Sequence, residues 1–136
     1  MEQIKVLDDS YNANPSSMTA AASILGMHQG NRIAVLGDMA ELGEHAVRYH
    51  QELADVLKAQ QVQSVYLYGQ YADVTAAAFG NAAKAFDSKQ LLSETLIEEL
   101  KKTKTKDLGS KTLVLIKGSR SMQMESIVSA LEEEFC

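Results

Sequence analysis

Five times along the chain a short apolar run gives way to a polar turn and then to a stretch with apolar residues at helical spacing. No other pattern in the sequence limits the fold so tightly. Ile4, Val6 and Leu7 mark the first run, Ile33 to Leu36 the second, Ser64 to Tyr68 the third, Ala83 to Phe86 a brief fourth, and Thr112 to Ile116 the clearest. Helical spacing follows from Pro15 to His28 through Met18, Ala21, Ala22 and Leu25, and from Glu44 to Gln60 through Ala46, Tyr49, His50, Leu53 and Leu57. It recurs from Tyr71 to Phe79, from Ser88 to about Thr103 through Leu92, Leu96 and Leu100, and in a last helix through Met124, Ile127, Val128, Leu131 and Phe135. The basic segment Lys101 to Asp107 reads as a solvated loop. Strands that alternate with helices are joined by right-handed crossovers, which give a parallel sheet covered on both faces. The expected fold is α/β, a Rossmann-like three-layer sandwich with a mostly parallel sheet of five to six strands. With 136 residues and 46% hydrophobic content, the chain suits a single domain over residues 1–136 with its own core.

In such a sheet the turns at the carboxyl ends of the strands share one edge, which is where ligands bind. Three of these turns are rich in polar side chains. The first is Asp8-Asp9-Ser10-Tyr11-Asn12-Ala13-Asn14, closed by Pro15 at the first position of a helix. Asn14 suits the N-cap, because a residue before proline is pushed out of the helical region and its side chain can accept from the first free amides. Capping leaves Asp8, Asp9, Ser10 and Asn12 unexplained, although one of the two aspartates can be a solvated turn residue. The second turn is Gly37-Asp38-Met39-Ala40-Glu41-Leu42-Gly43, and the third begins Lys117-Gly118-Ser119-Arg120. Arg120 offers a fork that matches a carboxylate in two bonds, whereas Lys117 also reads as a strand-end lysine in solvent. Gly118 is expected to serve the backbone, through a positive φ or close approach of a ligand.

The strings DDSYNANP, GDMAELG (Gly37 to Gly43) and KGSRSMQME (Lys117 to Glu125) occur in that order and span nearly the whole chain. Together they resemble the C-terminal domain of the Mur ligase family, and within it the enzyme that adds D-alanyl-D-alanine to UDP-N-acetylmuramoyl-tripeptide in bacterial peptidoglycan synthesis. The resemblance implies an ATP-dependent ligase that works through an acyl phosphate, with ATP and Mg²⁺ bound mainly by a central ATPase domain. That domain and the UDP-sugar-binding domain are expected to be absent from this chain, which would leave the fragment inactive alone and without a catalytic or metal-binding residue of its own. The other two domains of the same polypeptide would be its partners, as this domain closes over the ATPase domain. By the same resemblance, Asp9 takes the ribose hydroxyls of ATP, and Ser10, Asn12 and Asn14 line the nucleotide and acceptor pocket. Asp38 and Glu41 would face the dipeptide's ammonium, while Lys117, Ser119 and Arg120 contact the acceptor carboxylate or phosphates. For Asp38 and Glu41 a charged turn is the competing reading.

Other classes are excluded on composition and spacing. A net charge of -5 opposes non-specific binding to nucleic acid or an anionic membrane surface. No apolar run approaches the roughly 20 residues needed to span a bilayer, no signal peptide is apparent, and a lone cysteine, Cys136, fits a reducing cytoplasm. Gly109-Ser110-Lys111-Thr112 is like the end of a phosphate-binding loop but precedes a strand and lacks the glycine before its lysine. His45 and His50 are five apart, unlike a metal pair four apart on one helix face, and His50 is expected to pack beside Leu53 and Leu57. Met122 and Met124 read as helix core. Two alternatives remain open. A phosphoacceptor receiver domain would share the acids after strand one and the lysine after strand five, but it needs an aspartate after strand three, where this chain has Gly69. A stand-alone nucleotide-binding module would bind ATP tightly without other domains.

Overall fold

The computed structural model describes residues 4–106 and 111–135, with the backbone alone over 103–106. Strands β1 (Ile4–Asp9), β2 (Asn31–Gly37), β3 (Ser64–Tyr68), β4 (Ala83–Phe86) and β5 (Thr112–Lys117) alternate with helices α1 (Pro15–Gly26), α2 (Ala46–Ala59), α3 (Ala72–Phe79), α4 (Lys89–Lys106) and α5 (Glu125–Phe135). A single 3₁₀ turn precedes each of α2 and α5, at Gly43–His45 and Arg120–Met122. The strands form one five-stranded sheet in the order β1-β5-β2-β3-β4, parallel in every pairing.

Side chains along a strand alternate between faces, and this alternation divides the interior into two cores. Ala34, Leu36, Val65, Leu67 and Leu115 point to the face covered by α1, α2 and α3, where they meet Met18, Leu25, Leu53 and Leu57. Ile33, Val35, Tyr66, Val114 and Ile116 point to the other face, against Leu92, Leu96 and Leu100 of α4 and Ile127 and Leu131 of α5. Burying one such leucine contributes about 1.5–3 kcal/mol, so the fully buried row on α4 anchors that helix. The division of helices follows from handedness. Three right-handed crossovers run one way, from β1 through β2 and β3 to β4, and place their helices on one face. The connection from β4 to β5 runs back and puts α4 on the other.

Two expectations change here. The segment expected as a basic loop is helical to Lys106, and Asp107 lies outside the described residues. Lys102 lies within 3.7 and 3.8 Å of Glu98 and Glu99 on the same helix, and Lys101 pairs with Glu134 of α5. A charged run with acids one turn earlier is a good solvated helix face. The receiver-domain alternative is also removed. Such domains order their strands 2-1-3-4-5, whereas β5 lies here between β1 and β2. Cys136 and the Gly109-Ser110 pair lie outside the described residues.

Candidate functional site

Helix α1 follows β1 on one face and α5 follows β5 on the other, so the chain leaves these neighbouring strands in opposite directions. The same is true of β5 and β2. A crevice at the carboxyl ends of such strands is the expected binding place in an open α/β sheet. The structure has an open cleft of about 570 Å³ there, lined by Asn12 to Asn14, by Ala40 and Glu41, and by Ser119 to Ser121. Residues from all three polar turns therefore meet. A second cleft of about 350 Å³ shares Ala40, Glu41, Ser119 and Ser121 and extends to Gln70 and Tyr71 after β3.

Behind the clefts lies a layer of polar side chains that hold the turns together. Lys117 is only 2% exposed, and its Nζ donates to Asp9 Oδ2 and to the Asn12 carbonyl, both at 2.8 Å. Asp9 is its register partner across β1 and β5. The ammonium is thus neither a solvated strand end nor a cleft-lining contact; it fixes the first turn from behind. Asp9 keeps a side chain 43% exposed. Ser10 is turned inward, where its amide and hydroxyl both donate to Asp8 Oδ1. Asp8 is thus the turn aspartate of the pair. Asn12 accepts from the Ala13 amide at 2.8 Å. Asn14 caps α1: its Oδ1 accepts from the Ser17 amide, and Ser17 Oγ accepts from the Asn14 amide.

Asp38 is buried at the wall of the second cleft, with its side chain directed toward the start of α3. Its two oxygens accept the amides of Gln70 at 2.7 Å and Tyr71 at 3.0 Å, and its carbonyl accepts from the Ser119 amide at 2.9 Å. Gly69, with φ +129°, permits this, since a Cβ there would lie 2.5 Å from the carboxylate. Glu41 lines both clefts, and it holds a left-handed φ of +60°. Non-glycine residues in that region are strained, and such strain clusters at functional sites.

Arg120 is exposed and forms an ion pair with Glu125, with its guanidinium 5.8 Å above the ring of Tyr11, itself 78% exposed. The hydrogen bond from Arg120, together with its charge, holds the Glu125 carboxyl below the usual carboxylate range, and the same bond with the negative charge of Glu125 raises the Arg120 guanidinium further. Ser119 is buried and shares a hydrogen bond with Ser121. Gly118 corrects both alternatives offered for it. It lacks a positive φ, and the group that approaches is the protein itself, since a Cβ would meet Met124 Cγ at 2.8 Å and the Gly37 Cα at 3.1 Å. Met124 is fully buried just before α5 and Met122 packs beside it within the 3₁₀ turn, so both belong to the core but neither to a helical stripe. Lys89 of α4 donates to the carbonyls of Met122 and Gln123 and so braces the turn that carries Arg120.

Gln70, Tyr71 and Ser121 join the clefts without having been singled out from the sequence. For Gln70 and Tyr71 the available signal was position, because a turn after β3 in a parallel sheet must share the edge. Among the described residues, no group of three or more His, Cys, Asp or Glu side chains comes together that could hold a metal ion, and no helix is long and apolar enough to cross a membrane.

Comparison with known proteins agrees with the motifs. A family profile described as "Mur ligase, glutamate ligase domain" matches residues 1–120. The UDP-N-acetylmuramoyl-tripeptide–D-alanyl-D-alanine ligase of Buchnera aphidicola is 38% identical over 98% of this chain and 28% of its own length. The ligase of the same name from Escherichia coli is 37% identical over 94% of this chain and 27% of its own length. The chain thus spans a little over a quarter of these relatives. A crystal structure of MurF from Acinetobacter baumannii superposes with a TM-score of 0.84 at 31% identity, covering 94% of this chain and 27% of that one.

Proposed function

This chain belongs to the Mur ligase family, and from that premise we propose that it is the C-terminal domain of a bacterial ligase that joins D-alanyl-D-alanine to UDP-N-acetylmuramoyl-tripeptide in the cytoplasm. The observation that carries the reading is the meeting of the three motif turns in one cleft at the sheet's switch point. In this reading, ATP supplies a phosphoryl group to the tripeptide carboxylate, and the dipeptide amine displaces phosphate from the acyl phosphate to form the amide. The UDP-sugar-binding domain and the central ATPase domain, with Mg²⁺ and the site for the ATP phosphates, are assigned to the rest of the polypeptide.

The residues of this chain bind and orient. Asp9, held by Lys117, presents a carboxylate to the ribose hydroxyls, which are donors suited to it. Ser10 and Asn12 fix the shape of the nucleotide turn, and Asn14 adds its exposed side chain to the cleft wall while capping α1. Glu41 faces the dipeptide ammonium, and Asp38 supports it by anchoring the turn to α3. Arg120 pairs with the acceptor carboxylate, with Ser119 beside it and Lys117 acting from below.

The test is a chimera in which this chain replaces the corresponding domain of the Escherichia coli relative. The chimera should form the amide product, and Arg120→Ala should lower kcat/KM by about tenfold to a hundredfold, the range for losing a charge-assisted bond. The chain alone should neither make product nor hydrolyse ATP. Turnover by the isolated chain, or a folded chimera that stays inert, would refute the proposal. Tight ATP binding by the isolated chain would favour a self-sufficient nucleotide module instead.

A further inference from the structure

The turn Asp38 to Gly43 brings Glu41 into both clefts with the backbone in the left-handed region, so something must hold it there. Asp38 anchors one end. The next link is His50 on α2, 3% exposed, with both ring nitrogens engaged. Its Nε2 lies 3.1 Å from the Met39 amide, and its Nδ1 lies 2.7 Å from the Ala46 carbonyl. An amide can only donate and a carbonyl only accept, so the proton is on Nδ1 and Nε2 is the acceptor. The ring stacks on Tyr71 at 4.6 Å and 21°, and the His50 carbonyl accepts from the Thr75 hydroxyl of α3 at 3.1 Å. Tyr71 is the residue whose amide binds Asp38 Oδ1. The imidazole thus closes a ring of contacts running from Met39 to His50, Tyr71, Asp38 and back to Met39 along the chain.

We propose that His50 is a positioning residue for the site: by accepting the Met39 amide it sets the turn that presents Glu41 to the acceptor amine. The effect on catalysis rests on the function proposed above, whereas the effect on the turn does not. His50 lies outside the lining of both clefts, and its Nε2 acts on the turn by way of Met39. An apolar ring at this position would keep the packing against Tyr71 and lose the acceptor. A glutamine would return an acceptor near the place of Nε2.

Two measurements test this. Amide hydrogen exchange on the 136-residue chain should show Met39 exchanging about tenfold faster in His50→Phe, the effect of losing one buried bond. Amides of β2 and β5 should keep their protection, and His50→Gln should bring Met39 back to within about threefold of the parent. In the chimera, His50→Phe should raise KM for D-alanyl-D-alanine about fivefold or more while KM for ATP stays within about twofold, with recovery in His50→Gln. Unchanged exchange at Met39 would overturn the inference. So would a rise spread evenly over the sheet, or a freed turn that leaves KM for the dipeptide unaltered. If the chimera with His50 intact makes no amide, the functional reading fails, and the exchange data alone decide whether His50 sets the turn.

Discussion

Asp38 and Lys117 both find their hydrogen-bond partners within the protein. These pairings arise from register and neighbouring turns. Lys117 lies directly across from Asp9 because β5 pairs with β1, and Asp38 meets two amides because the turn after β3 lies next to the turn after β2. Neither adjacency is written in the local sequence. Gly69 gives a test at this scale, with Gly80 as its control. Both have φ near the same value, +129° and +120°, but a Cβ at Gly80 meets open space whereas one at Gly69 meets the Asp38 carboxylate. Gly80→Ala should cost about 1–3 kcal/mol in urea unfolding, the strain of the backbone alone. Gly69→Ala should cost more than that, and its excess should shrink when Asp38 is also replaced by alanine.

At the scale of elements, helix starts were legible because their signals are local. Asn14 before Pro15 is a cap in sequence and in structure, and Ser17 completes a reciprocal capping box. Asn14→Ala should therefore lower stability by about 1 kcal/mol, while Asn14→Ser, which keeps an acceptor, should stay close to the parent. Comparing the two variants in the chimera separates capping from binding. A loss of activity in Asn14→Ser without a loss of stability assigns the side chain to the cleft. Helix ends were harder to place. The run from Lys101 contains charges and threonines but no Gly or Pro before Gly109, so it lacks a stop signal. Acids at Glu98, Glu99 and Glu134 supply partners that a reading of the basic run alone passes over.

For the whole molecule, the sheet separates two cores, and the one under α4 and α5 contains Tyr66. Burial, and then the negative charge of Glu99, push its phenol from 10.0 up to about 12. Below pH 10 the phenol is protonated in both states and favours neither. Between pH 10 and 12 the unfolded chain releases a proton that the folded chain retains, so stability should fall by about 2–3 kcal/mol across that window. Urea midpoints measured from neutral to alkaline pH should show this fall, and it should be flatter in Tyr66→Phe. A parallel decline in both proteins would place the titration elsewhere. The same sheet explains how much of the site was legible. Three polar turns following parallel strands had to share an edge, and they do. Which side chains line the cleft and which brace it from behind depended on distances between strands far apart in the chain.

The order of apolar runs and turns, read with period two for strands and 3.6 for helices, determined an α/β sheet with its functional turns on one rim, because those patterns arise from local geometry. Tertiary structure alone decided that β5 would lie between β1 and β2. That one insertion pairs Lys117 with Asp9, sets Ser119 on the Asp38 carbonyl and opens the cleft between strands whose helices leave on opposite faces. Strand order is a matter of long-range packing and crossover handedness, which no short window of residues contains.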